Sequence, residues 1–239
     1  MALNIFTYDA IDELGDELIR QYLGPAADKA FCVNVEGFVT DYLGLPLVYR
    51  AFAEDDPDKM GFISDGKTSI QVYENGTVIS KVFPRGTIVI EKFLCRESES
   101  GRKRFTIIHE GAHFVLDRAL PRAGYHREFD HERRYKPEEF RQMFTLTETM
   151  CDRMGAALLM PRFMVRNLVY GYGVEDGIPV YGDNVLRPDD YLLIRRMADD
   201  MGASFQAFFI RLRELGFLVH RPLAEYIVKD MGLGKKDEY

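Results

Sequence analysis

The five residues His109-Glu110-Gly111-Ala112-His113 constrain this chain more than any other segment. On a helix, positions four apart share a face. Both imidazoles of an H-E-x-x-H pattern can therefore turn toward one ion, with the glutamate beside the coordination position they leave open. With five histidines in 239 residues, chance seldom produces this spacing. The flanks sharpen the requirement: Phe105, Ile107, Ile108, Ala112, Phe114, Val115 and Leu116 are apolar on nearly every side, which marks a buried helix. Two histidines and a glutamate inside such a helix need partners, because burying an unpaired polar group costs about 2–7 kcal/mol. Core histidines satisfied by carbonyls and an acid are the plain alternative; a metal ion meets the demand directly.

A tetrahedral site of this type takes a third protein ligand and keeps its fourth position for water. The next helical pattern offers Glu148 and Asp152, again four apart. Glu148 suits ligand depth, and Asp152 can orient a histidine through its free ring nitrogen. Gly155, Ala156 and Ala157 follow one turn later, and residues this small let two helices approach closely. The competing reading makes Glu148 and Asp152 a solvated face, against which stands the mostly apolar stretch 147–161. Asp117, four residues past His113, ranks lower as a ligand because it drifts off the ligand face.

Around this segment the periodicities predict a helix over 8–23 stopped by Gly24-Pro25, a short helix over 35–43, and an extended run over 45–52. Residues 61–94 read as a small antiparallel sheet with an Asn75-Gly76 hairpin turn. Helices follow over 103–119 and 138–160, with an exposed loop over 121–137 between them. The remainder is mostly helical to about Tyr226, broken by a Gly- and Pro-rich stretch near 170–182. Strands first and helices after give an α+β class.

The formal net charge is −7 with no basic run, which argues against direct nucleic-acid binding. No apolar stretch approaches the ~18–20 residues needed to span a bilayer. No signal peptide is visible, and Cys32, Cys95 and Cys151 are odd in number and far apart, so a cytoplasmic location fits best.

Arg104-Phe105-Thr106 leading into the H-E-x-x-H residues, then Glu148-x-x-x-Asp152 running into Ala156-Ala157-Leu158-Leu159-Met160-Pro161, resembles the ImmA/IrrE family of metallopeptidases. The combination is far more specific than H-E-x-x-H alone. It covers residues 102–161 and extends to the N-terminal helices, the sheet and the segment 207–217. The resemblance implies a zincin-like domain over residues 1–165, with a helical accessory region over 166–239. One zinc ion would be held by His109, His113 and Glu148, with Glu110 as general base. It further implies limited proteolysis of a helix-turn-helix repressor governing mobile-element or stress genes. Met150 and Cys151 stand where the family commonly has Glu-Ala, Asp152 where Asn is common, and Met154 where Phe is common. These departures leave the metal reading intact and weaken the substrate reading. The N-terminal residues give no pattern for the helix-turn-helix commonly fused there in the family, so none is expected in this stretch.

In the mechanism so implied, Glu110 accepts a proton as water attacks a peptide carbonyl, and a further donor stabilises the oxyanion. Candidates are Tyr125, His126, His131 and Tyr135 in the loop, or Tyr170 and Tyr172 later; none has a motif behind it. The strand over 87–93 could be the sheet edge that receives substrate backbone. Two rivals stand beside the enzyme. One is a non-catalytic, metal-containing protein acting on a transcription regulator. The other is a DNA-binding helix-turn-helix at 197–204 followed by a helix with Arg211 and Arg213, against which the apolar Phe205, Phe208, Phe209 and Leu212 favour a packed bundle.

Overall fold

The computed structural model describes residues 7–54, 59–119 and 137–233, with backbone alone for 137–146 and 229. Helix α1 (Tyr8–Leu23) is capped by Thr7, whose hydroxyl oxygen accepts the Ala10 N–H at 3.2 Å. Ile11 and Ile19 on its inner face are fully buried. A 3-10 turn (Gly24–Lys29) leads to the short α2 (Val35–Gly37), which continues as a π turn over Phe38–Tyr42.

The strands are β1 (Leu47–Phe52), β2 (Gly61–Ile63), β3 (Ser69–Glu74), β4 (Thr77–Val82) and β5 (Ile88–Glu91), in the order β2-β5-β1-β3-β4. Asn75 (φ 53°) and Gly76 (φ 80°) form the tight turn joining β3 to β4, as a two-residue hairpin with two left-handed positions requires. The α+β class stands, but the sheet is mixed rather than antiparallel. β1 enters its centre and runs parallel to β5, pairing Leu47 with Ile88 and Tyr49 with Ile90. The run Ile88-Val89-Ile90 is buried on both faces, and such continuous apolar patterning belongs to an interior strand. Ile88 and Ile90 join the main core, whereas Val89 packs with Ile70, Val72 and Phe83 on the other face. Among the described residues the edge strands are β2 and β4, so the strand over 87–93 is not the edge anticipated from its sequence position.

Helices α3 (Ser100–Ala119) and α4 (Pro137–Leu159) follow, with α3 packed on β2, β5 and α4. α1 lies on α4 at small residues: a Cβ on Gly15 would come within 2.8 Å of the Ala157 Cβ. Beyond Pro161 come α5 (Arg162–Gly171), β6 (Ile178–Tyr181), α6 (Pro188–Met201), α7 (Phe205–Glu214), β7 (Leu218–Arg221) and α8 (Leu223–Lys229). β6 and β7 form a two-stranded parallel sheet inside the stretch expected to be mostly helical. Each is four residues long, too short for periodicity to register, and they pair across about forty residues of chain.

Polar anchors tie these elements together. Arg104 on α3 donates to the Gly202 carbonyl at 2.7 Å and to the Val33 carbonyl at 2.7 Å, so it joins the turn after α6 to the segment before α2. Arg211 of α7 is fully buried. It donates to the Met160 carbonyl at 3.0 Å and lies 2.8 Å from the Asp12 carboxylate. Arg153 on α4 pairs with Asp12 and with Glu214 of α7. Arg211 is therefore consumed inside the protein and offers no contact to a phosphate. Main-core residues run from Ile11 in α1 to Leu212 in α7.

Asp12→Ala strands Arg153 and Arg211 in the interior with less compensating charge and should cost about 3–5 kcal/mol of stability. Urea unfolding with an unchanged m-value checks this. The apolar replacement Asp12→Leu with Arg211→Met should recover most of the loss.

Candidate metal centre

Each turn of the site follows from local sequence. The run Arg102–Ala119 carries no Pro, and its buried positions Ile107, Ile108, Ala112, Val115 and Leu116 hold α3 against the sheet and α4. That leaves His109 and His113 half-buried on one face. Gly155 of α4 sits opposite: a Cβ there would lie 3.4 Å from the His109 Cα and 3.6 Å from its backbone nitrogen. With so little bulk at 155, α4 lies close to α3 and brings Glu148 and Asp152, two turns and one turn earlier, up to the imidazoles.

The donor atoms converge. His109 Nε2 is 3.2 Å from His113 Nε2 and 3.3 Å from Glu148 Oε2, and His113 Nε2 is 3.7 Å from the same oxygen. Ligands about 2.0–2.1 Å from a tetrahedral centre lie ~3.3–3.4 Å from one another, which is close to these separations. The opposite ring nitrogens are also engaged. His109 Nδ1 lies 3.0 Å from Asp152 Oδ1 and His113 Nδ1 lies 3.2 Å from Cys151 Sγ. With protons on the Nδ1 atoms, both Nε2 atoms present bare lone pairs to each other and to a carboxylate. A cation satisfies such an arrangement, and His109, His113 and Glu148 could hold a metal ion.

The electrostatics agree. Burial disfavours a charged His109, yet the Asp152 hydrogen bond and the charges of Glu110, Asp152 and Glu148 outweigh it and raise its pKa above the ordinary imidazole value. Burial and neighbouring His109 lower that of His113. Glu110 is 7% exposed. Burial pushes its carboxyl up to about 7, aided by Glu148 and opposed by His109 and by a hydrogen bond from the Ile63 backbone. Burial, followed by the charges of Glu148, Glu110 and Asp152, pushes the Cys151 thiol up to about 12.

The Ile63 contact places β2 beside the site. Ser64 N–H donates to the Thr87 carbonyl and Glu91 N–H to the Met60 carbonyl. By alternation, the backbone groups of Gly61 and Ile63 face away from β5, toward the open edge. Gly61 lies on α3, where a Cβ would meet Thr106 Cγ2 at 2.8 Å.

Not every candidate converges. Asp117 is exposed and outside the cluster. Tyr172 donates its hydroxyl proton to Asp200, and Tyr170 packs edge-on against Phe217, so both are engaged in the C-terminal part. Tyr125, His126, His131 and Tyr135 lie outside the described residues. Cys151, Ile63 and the Arg104 anchor were not picked out from sequence as parts of this arrangement. Cys151 carried a legible signal, being three residues past Glu148 and so on the same helical face.

No curated protein matches the chain. Residues 43–213, more than two thirds of it, match the peptidase M78 family, described as the IrrE N-terminal-like domain. The match spans the sheet, both helices that build the His-His-Glu cluster, and the buried Arg211 of α7. A small sheet laid on a paired-helix metal site, matched over that length, makes this chain a member of the peptidase M78, IrrE N-terminal-like, family.

Proposed function

We propose that this protein is a zinc-dependent endopeptidase that makes limited cuts in a protein substrate in the cytoplasm, the substrate being a helix-turn-helix transcriptional repressor. One ion per chain would be held by His109, His113 and Glu148. The observation that carries the reading is the convergence of two imidazole nitrogens and a carboxylate at near-tetrahedral spacing, with a buried glutamate beside them. The repressor rests on the family resemblance.

When bound, zinc supplies Lewis acidity, bringing the pKa of water toward neutrality and polarising a peptide carbonyl. The chain's own residues do the rest. Glu110 receives a proton at its carboxylate and returns it to the departing amine. A buried carboxyl with a pKa of about 7 is suited to both directions near neutral pH. Asp152 holds His109 in the tautomer that presents Nε2. With the Ile63 N–H given to Glu110, the outward N–H and carbonyl of Gly61 and the Ile63 carbonyl would pair with an extended substrate segment added to β2 as a further strand.

Native protein should carry one zinc, and His109→Ala or Glu148→Ala should lose it, as read by metal analysis. Glu110→Gln should keep the metal while cleavage falls by at least about 10²-fold. A protein acting only by binding would keep its effect on the transcription regulator in that variant. Asp152→Ala should weaken zinc binding about 10–100-fold, whereas Asp152→Asn, which keeps an acceptor, should retain most of it. Since His109 holds its proton above the ordinary imidazole range, zinc affinity should be full at alkaline pH. It should decline as pH falls through that raised value, which chelator competition across a pH series measures. Amide exchange at Gly61 should slow when an uncleaved peptide binds; unchanged exchange there would remove β2 from the substrate site.

A further inference from the structure

We propose that Cys151 is the positioning residue for His113, its sulfur accepting the Nδ1–H so that the Nε2 lone pair faces the metal position. This rests on the metal reading above and adds a residue that the H-E-x-x-H spacing does not reach. The sulfur lies 3.2 Å from His113 Nδ1. Cys151 is buried and unbridged, so its place is set by packing.

Its position on α4 gives the contact meaning. Glu148, Cys151 and Asp152 stand at i, i+3 and i+4, the spacing that puts three side chains on one helical face. That single face supplies the third donor and an outer partner for each imidazole: Asp152 for His109 at 3.0 Å and Cys151 for His113 at 3.2 Å. The two partners differ in strength. A carboxylate is a strong, charged acceptor and a thiol sulfur a weak one. His113 is thus oriented without the polarisation that His109 receives, and the ring pair is unequal by construction.

The opposite hydrogen bond, thiol donating to Nδ1, would leave the proton on Nε2, pointing at His109 Nε2 and Glu148 Oε2. The sulfur-accepting tautomer is the one in which the cluster can take a cation. In this tautomer Cys151 need not touch the ion, since it meets the nitrogen on the far side of the ring.

Three variants at one position separate orientation from space filling. Cys151→Ala removes the acceptor and volume, Cys151→Val removes the acceptor but restores the volume, and Cys151→Ser keeps an acceptor. Zinc Kd is read by chelator competition, beside the Tm of each metal-free protein. We expect Ala and Val to weaken zinc about tenfold, the low end for an outer partner because sulfur accepts weakly, and Ser to stay within about threefold of native. Val binding as tightly as native, or Ser as weak as Val, overturns the assignment, as does affinity that merely follows the metal-free Tm. Native protein that binds no zinc would instead remove the metal reading on which this inference stands.

Discussion

The closeness of α3 and α4 governs what this protein can do. At Gly155 the second helix comes within ordinary contact distance of the His109 backbone, and that approach carries Glu148 to within 3.3 Å of an imidazole nitrogen. A Cβ at 155 would already touch the His109 backbone at 3.4 Å, so the space between the helices there is filled by little more than a methyl group. Glu148, two turns away on the same helix, moves with that axis and meets both rings only while it stays close. The small residues are thus a geometric condition on the polar cluster.

The arrangement gathers hydrogen-bond acceptors around one point. Nitrogen lone pairs and a carboxylate oxygen crowd a common point, and their outer atoms are committed to Asp152 and Cys151. Holding half-buried imidazoles and an exposed carboxylate this close costs free energy that the rest of the fold supplies. Much of that support lies away from the site. Arg104 ties the start of α3 to the segment before α2 and to the turn after α6. The ionic cluster of Asp12, Arg153, Arg211 and Glu214 clamps α1, α4 and α7. Arg153 is the residue next to Asp152, so the clamp and the outer partner of His109 share one turn of α4.

Local pattern made the helices legible. The Ile and Leu spacing marked α1, the H-E-x-x-H face marked α3, and Pro161 marked the end of α4, because each depends on residues three and four apart. Asn75-Gly76 was legible for the same reason, since two left-handed positions in a row leave few alternatives. Strand neighbours were not. The extended run over 45–52 gave no sign that it would enter the centre of the sheet beside β5. Nor did four apolar residues at 178–181 announce a partner at 218–221. Strand pairing joins distant segments, and the residues that decide it are not near in sequence.

The sequence by itself determined the chemistry available: two imidazoles on one face, a glutamate between them, and two further acids on a helix able to lie close. Those follow from helical spacing and from the cost of burying polar groups, both local matters. Only the tertiary structure decided which nitrogen of each ring faces inward, that a thiol stands behind His113, and that β2 rather than β5 is the open strand beside Glu110. Each of these is a relation between segments far apart in the chain, set by how whole elements pack.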